Sequence, residues 1–370
     1  MKKIAIVGTQ GVPAKYGGFE TLAENLIGGQ CDADIEYTVF CAARDYAERR
    51  SDYKGAKLRY IPFFHANGAQ STPYDILSLC CCIRGYDAVL LLGVSGGIFI
   101  PVFRAFFRKK LIVNIDGREH SRAKWGRFAR WFLKLNEQLS VRFADIVVAD
   151  NKGIQDYVSD CYQKPSALIA YGGDHAVRHV AEERQTQILH DFMLEKRGYA
   201  LSVCRIEPEN NCHITLEACA KSGIPLVFIG NWGNSPYGRQ LRMKYGQREN
   251  LRLMDSLYDL DVLYTLRSNC KVYIHGHSAG GTNPSLVEAM YVGCSILTYD
   301  VCYNRATTFD KACYFKNTQE LTVLVSRCFA QDAVKTQDES PSGLNGPEMR
   351  RLAEQHYTWQ RIARQYEGLY

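Results

Sequence analysis

The residues best typed and spaced for chemistry run from His275 to Met290 and read His-Gly-His-Ser-Ala-Gly-Gly-Thr-Asn-Pro-Ser-Leu-Val-Glu-Ala-Met. They follow an apolar run, Cys270–Ile274, that reads as a buried strand. They lead into Leu286–Val292, which reads as a helix ending at Gly293. Strand, glycine-bearing turn and helix in that order present unpaired N–H groups and the positive end of a helix dipole, a natural anion site. Gly280 and Gly281 let backbone approach a ligand closely. Glu288 falls about one turn into the helix, on the side able to face the same ligand. His275 and His277 could meet the same group, or be structural histidines. The segment reads as a pocket for a phosphate and a sugar. The plainer reading is a tight turn whose glycines serve sterics alone.

Such turns need a frame that sets strand ends side by side. Lys3–Gly8 is a short apolar strand, as at the start of a parallel sheet. Thr9–Gly18 is a glycine-rich loop, and Phe19–Ile27 is helical in spacing, stopped by Gly28-Gly29. Glu36–Cys41, Lys57–Pro62, Ala88–Leu92, Leu111–Ile115, Asp145–Ala149 and Ser166–Ala170 read as further strands. Tyr74–Arg84, Phe99–Phe107 and Trp125–Phe143 read as helices between them. A second alternation starts at Tyr199–Cys204 and continues through strands at 225–229, 250–253, 272–274 and 295–298. Its helices are expected at 214–222, 236–245, 256–266 and from Pro284. Residues 332–346 read as a polar loop, and 347–370 as one amphipathic helical pattern with a possible break near Thr358. The alternation predicts an α/β protein of two Rossmann-like halves, with ligands at strand carboxyl ends and in a central cleft.

A chain of 370 residues with 46% apolar content suits two domains. Its 14 cysteines include no Cys-x-x-Cys pair, and Cys80-Cys81-Cys82 is a contiguous apolar run. With no secretory leader and no 18-residue apolar segment, the expectation is a reduced, cytoplasmic protein. The net charge is +6. Between Pro101 and Asp145, however, eleven Lys and Arg face four acids. That local excess suggests a polyanion or an anionic membrane surface. The stretch Arg118–Lys134, with Trp125, Phe128, Trp131 and Phe132, could rest on anionic lipid, or could pack its aromatics inward. Nucleic acid is not expected as a partner, since no nucleic-acid module appears.

Four segments together resemble one family: Gly8–Glu20, Val203–Asn211, His275–Met290 and Tyr357–Tyr366. The chain resembles the retaining glycosyltransferases of the GT-B fold in glycosyltransferase family 4, and is similar to a bacterial branch labelled rhamnosyltransferase. The resemblance spans essentially the whole chain. It implies an N-terminal Rossmann-like acceptor-side domain (1–172), a C-terminal nucleotide-sugar-binding domain (173–346) and a closing helix (347–370) that crosses back to the first domain. It implies that Gly17 and Gly18 close on the donor diphosphate and that Arg205 pairs with it. It implies that Glu288 holds the nucleotide ribose and that Gly281, Thr282 and Asn283 offer backbone N–H groups to sugar and phosphate. His277 joins this donor set. Asp116 would orient the acceptor hydroxyl, with His120 assisting.

Two positions depart from the family pattern. Gly280 stands where the family has a Glu that binds sugar hydroxyls, and Asn210 stands where it has a phosphate-binding Lys. Asn can still donate hydrogen bonds. A deoxy sugar such as rhamnose, with a methyl in place of one hydroxyl, is compatible with the altered pocket.

No metal-ligand cluster is visible. Asp259-x-Asp261 has the spacing of a metal motif but falls in an expected helix, as a solvated face. Without a metal, Arg205, helix N-termini and loop N–H groups must meet the leaving diphosphate. No cofactor is expected beyond the nucleotide sugar as substrate. Retention can proceed by front-face attack, which needs no carboxylate nucleophile.

The reading is a metal-independent, retaining glycosyltransferase that moves L-rhamnose from dTDP-rhamnose to a lipid-linked glycan. It would be cytoplasmic, and peripheral on the membrane's inner face. The rivals are an epimerase or synthase on the same fold and a non-catalytic nucleotide-sugar-binding protein. A dinucleotide oxidoreductase is disfavoured, because the first strand lacks Gly-x-Gly-x-x-Gly and no acid closes the next strand.

Overall fold

The computed structural model describes residues 1–370 except Tyr16, Phe63, Asn67, 122–124 and 331–343. Arg122 and Lys124 of the basic stretch, Tyr16 of the first glycine loop and most of the expected 332–346 loop thus lie outside the described residues. The chain divides into two compact units, Met1–Tyr171 with Trp359–Tyr370, and Gly172–Thr358.

The first unit holds β1 (Lys2–Val7), β2 (Ile35–Ala42), β3 (Asp52–Tyr53), β4 (Ala56–Ile61), β5 (Ala88–Leu92), β6 (Lys110–Asn114), β7 (Ile146–Ala149) and β8 (Ser166–Leu168). They form one sheet in the order β3-β4-β2-β1-β5-β6-β7-β8. Every pairing is parallel except the short β3–β4 hairpin. Ile4–Val7 and Val89–Leu91 are fully buried, as expected of parallel strands covered on both faces. The helix Gly18–Gly28 buries Leu22, Ala23, Leu26 and Ile27 at helical spacing. The helix Trp359–Glu367 packs against it and adds Trp359, Ile362, Ala363 and Tyr366 to the same core.

The second unit holds β9 (Ala200–Val203), β10 (Leu226–Ile229), β11 (Leu251–Met254), β12 (Val272–His275), β13 (Ile296–Tyr299) and β14 (Cys313–Phe315). Their order is β11-β10-β9-β12-β13-β14, all parallel. Counted within the unit this is the 3-2-1-4-5-6 order of a dinucleotide-type doubly wound sheet.

The tail is two helices, Gly346–His356 in the second unit and Trp359–Glu367 in the first, separated at Thr358 where the sequence suggests a break. Some elements differ from expectation. The helix expected at 256–266 is Leu260–Asn269, because Asp259 caps it by accepting from the N–H groups of Asp261 (2.9 Å) and Val262 (3.1 Å). Asp259 is therefore a helix cap, and Asp261 pairs with Arg178 at 3.0 Å. The helix Lys152–Tyr162 had no counterpart in the sequence reading, although Asn151 caps it through Gly153 N–H.

Candidate functional site

In the second unit the strand order reverses at the β9–β12 pair, and in sheets of this order ligands bind outside the strand carboxyl ends at such a point. The loop after β9 carries Arg205 and Asn210. The loop after β12 carries His277 and Gly280–Asn283. The loops are tied together, since Ser278 donates to the Glu209 carbonyl through both N–H and Oγ at 2.8 Å. Asn211 Nδ2 donates to the Gly276 carbonyl at 2.9 Å. Gly276 is required for this approach, because a Cβ there would lie 2.3 Å from Asn210 O.

Asn210 is 5% exposed and donates from Nδ2 to the Arg205 carbonyl at 2.6 Å. That bond fixes the amide orientation, so Oδ1 faces and accepts from His277 Nδ1. On the other side of the imidazole, Nε2 sits 3.0 Å from the place a Cβ on Gly280 would take, and Gly280 has φ +114°. The two departures from the family pattern therefore touch one imidazole. A Glu at position 280 would strain the backbone and displace His277.

The helix Pro284–Val292 begins at Asn283, whose Oδ1 accepts from Ser285 N–H (3.0 Å) and Ser285 Oγ (2.9 Å). With that oxygen committed to the cap, Gly281, Thr282 and Asn283 stand as backbone at a helix N-terminus. Thr282 is buried at 4% exposure. Glu288, one turn on, receives Arg267 Nη2 at 2.5 Å on Oε2, and His175 Nε2 lies 3.4 Å from Oε1. Burial opposes ionisation of Glu288, but Arg267 and the His175 contact outweigh it and hold the carboxyl below its ordinary range. Arg205 is exposed at the end of β9. His275 lies in β12 itself, 2% exposed, and burial pushes its imidazole down to about 3. Burial therefore favours the neutral ring, and its Nε2 is a buried atom without a hydrogen-bond partner among the described residues.

In the first unit the order reverses at β1 and β5. Gly17 (φ +127°) is the N-cap of the helix Gly18–Gly28, and a Cβ there would lie 1.9 Å from Glu20 Oε2. Glu20 turns back under the loop, accepting from Thr9 Oγ1 (2.9 Å) and Gln10 N–H (2.7 Å). Burial raises its pKa, with these bonds opposing.

After β6, Asp116 adopts φ +58° and donates its N–H to Asn114 Oδ1 at 3.0 Å. Asp tolerates this left-handed conformation better than most residues. His120 is held on its side chain, with Nδ1 2.9 Å from Glu137 Oε2. Gly17 and Gly18 follow β1, and Asp116 and His120 follow β6, with β5 between those two strands. Among the described residues no group of three or more His, Cys, Asp or Glu is placed to hold a metal ion.

Two family models match the chain. Residues 187–315 match "Glycosyl transferases group 1", and residues 1–174 match "Domain of unknown function (DUF1972)". Solved structures resemble the whole chain. Sucrose-phosphate synthase from Thermosynechococcus elongatus has 15% identity and a TM-score of 0.79, over 100% of this chain and 98% of that one. HepE from Anabaena in complex with UDP-glucose has 12% identity and a TM-score of 0.74, over 100% and 98%. The catalytic domain of starch synthase IV from Arabidopsis thaliana, bound to ADP and acarbose, has 12% identity and a TM-score of 0.71, over 100% and 98%. No curated protein sequence matches the chain. The chain has the GT-B fold and a group 1 glycosyl transferase domain.

Arg205, Asn210, His277, Gly281–Asn283 and Glu288 all lie within that group 1 domain. Gly17, Gly18, Asp116 and His120 lie in the other matched segment. Four residues that hold these groups were missed in the sequence: Arg267 and His175 behind Glu288, Glu20 beneath Gly17, and Glu137 behind His120. Glu20 had a signal, an acid in the first turn of a helix after a glycine cap. Arg267 had none, because an arginine within a helix reads as a surface residue.

Proposed function

We propose that the chain is a metal-independent, retaining glycosyltransferase that transfers L-rhamnose from dTDP-rhamnose to a lipid-linked glycan. The observation that carries this reading is the convergence, at the strand-order reversal of the second unit, of the hydrogen-bonded loops after β9 and β12 with the capped helix N-terminus at Asn283. Arg205 and the N–H groups of Gly281–Asn283 would meet the diphosphate as negative charge develops on it. Glu288, held ionised by Arg267, would accept from the ribose hydroxyls. His277, locked by Asn210, would stand beside the sugar in the space over Gly280. The absence of a carboxylate at position 280 favours a donor sugar with fewer hydroxyls to bind. HepE is described with UDP-glucose and starch synthase IV with ADP, which supports a nucleoside-diphosphate sugar as the donor here.

On the acceptor side, Asp116 and His120 would orient the attacking hydroxyl. The leaving phosphate would take its proton from the same face of the sugar, which leaves the configuration unchanged. The acceptor would reach the protein at an anionic membrane surface, on the cytoplasmic side. Among the described residues no helix is long and apolar enough to cross a membrane.

A thermal-shift comparison of dTDP-rhamnose, UDP-glucose and GDP-mannose tests the donor. dTDP-rhamnose is expected to stabilise the protein most, and Arg205→Ala to weaken that binding by about tenfold to a hundredfold, the worth of one charge-assisted bond. Stabilisation by GDP-mannose alone would sink the rhamnose assignment. Binding without any transfer or donor turnover would favour a sugar-nucleotide-binding protein.

A further inference from the structure

The helix Arg127–Phe143 buries polar residues, Asn136, Glu137 and Ser140, beside the single apolar Val141. Asn136 and Ser140 are explained by the turn that ends β5. Asn136 Oδ1 accepts from Ile98 N–H at 2.8 Å, and a Cβ on Gly97 would lie 2.1 Å from Asn136 O and 2.7 Å from Ser140 Oγ. Glu137 is not explained that way. Its side chain keeps 3% of its surface exposed, and a carboxylate that deep needs a reason.

The donors around it divide between its two oxygens. Oε1 accepts from the Tyr157 and Tyr162 hydroxyls, each at 2.5 Å, and from Lys134 Nζ at 3.2 Å. Oε2 accepts from His120 Nδ1 at 2.9 Å. Burial disfavours the charge, yet these bonds and Lys134 hold the carboxyl below its ordinary range. An ionised carboxylate can only accept, so the nitrogen facing it must carry the proton. The His120 side chain keeps 15% of its surface exposed, so the ring, not the carboxylate, is the solvent-reachable member of the pair.

We infer that Glu137 is a positioning residue that fixes the proton of His120 on Nδ1 and so presents Nε2 as a hydrogen-bond acceptor for a hydroxyl of the acceptor sugar beside the attacking one, whose own proton stays with the leaving phosphate. Tyr157, Tyr162 and Lys134 keep Oε1 occupied, so that Oε2 is reserved for the ring. Tyr157 also lies beneath the Arg118 guanidinium, 4.7 Å from the ring centroid, and beside the imidazole, at 6.3 Å between centroids. The ring is thereby fixed in direction as well as in tautomer. This role rests on the acceptor-side reading of His120 given above.

The test is nitrogen-15 NMR of the imidazole in the full chain, with the His120 signal assigned by its loss in His120→Gln. In the wild type the neutral ring is expected to carry its proton on Nδ1. In Glu137→Gln, the tyrosines and Lys134 hold the amide oxygen on their side and the amide N–H turns to the ring, so the proton is expected to move to Nε2. Transfer from dTDP-rhamnose to a polyprenyl-diphosphate-linked N-acetylglucosamine is then expected to lose about tenfold to a hundredfold in kcat, with the donor KM unchanged. Adding His120→Gln to Glu137→Gln should lose no more than His120→Gln alone. A wild-type ring with its proton on Nε2 overturns the proposal while leaving His120 at the acceptor. Tautomers as stated with a fully active His120→Gln overturn the acceptor-side reading, and the catalytic role of Glu137 with it.

Discussion

Arg267 and Glu288 form a buried ion pair, Nη2 to Oε2 at 2.5 Å, with the arginine side chain 3% exposed and the glutamate 18%. They lie on neighbouring helices, Leu260–Asn269 and Pro284–Val292. The pair places a fixed negative charge one turn into the helix whose N-terminus heads the proposed donor site. It therefore has two consequences, one for folding and one for binding.

Glu288→Ala strands the Arg267 charge in the interior and is expected to cost about 3–5 kcal/mol of stability. Urea unfolding measures it. Arg267→Met with Glu288→Leu removes both charges and should recover most of that loss, yet it should not recover nucleotide-sugar affinity. A single Glu288→Ala as stable as wild type would refute the pairing. The pH dependence follows from the lowered Glu288 pKa. The stabilisation is present above the ordinary value of 4.5 and is lost as pH falls through the lower folded value.

Gly17→Ala is expected to destabilise the first unit by about 1–3 kcal/mol, since φ +127° is a glycine conformation and the new Cβ would strike Glu20. Adding Glu20→Ala removes the collision but not the backbone strain, and it releases Thr9 and Gln10. The double variant should therefore stay less stable than wild type in thermal unfolding. A neutral Gly17→Ala would mean that the loop adjusts freely.

Asp75, 3% exposed, is pushed up to about 8 by burial, with a bond from Gly96 N–H opposing. The folded state holds a proton that the unfolded chain gives up near 3.8. The stabilisation is thus full at low pH and is lost as pH rises toward 8, by at most about 1.4 kcal/mol per pH unit. Asp75→Asn keeps the shape and removes the titration. It is expected to gain stability relative to wild type steadily from pH 5 to pH 8 in urea unfolding. Parallel pH curves for the two proteins would place the ionised carboxylate in the fold.

The two halves were legible because parallel strands buried on both faces write themselves as apolar runs such as Ile4–Val7, and because glycines mark the strand ends. The place of Glu288 was legible for a related reason: a position one turn into a helix follows from local spacing. What escaped depends on distant partners. Glu137 draws on His120, Lys134, Tyr157 and Tyr162, which span two helices and a loop, and the second of those helices was itself not expected. Gly280 was visible as a departure, but its cause, a left-handed backbone beside the His277 ring, is written in three dimensions only. Asn136, Glu137 and Ser140 invert the usual polarity of a helix, so the side its aromatics face could not be read from periodicity.

That inversion bears on the membrane. Phe128 is 76% exposed and Trp131 59% exposed, one turn apart on the helix Arg127–Phe143, with Arg127 and Arg130 exposed beside them. The helix Ile100–Phe106, packed against it, exposes Val102 and Phe106 and leads to the exposed Arg108 and Lys109. Aromatic and basic side chains interleaved on one face suit an anionic bilayer surface, where each Arg contributes about 1 kcal/mol and the rings enter the headgroup layer. Binding to phosphatidylglycerol vesicles is expected to exceed binding to phosphatidylcholine and to weaken with salt. Phe128→Ser with Trp131→Ser should reduce it at any salt concentration, and Arg127→Gln with Arg130→Gln by about thirtyfold at low salt. Equal binding to neutral vesicles would remove the electrostatic part. Unchanged binding by the serine variant, or a dimer that the same variant dissolves, would assign the face to something other than lipid.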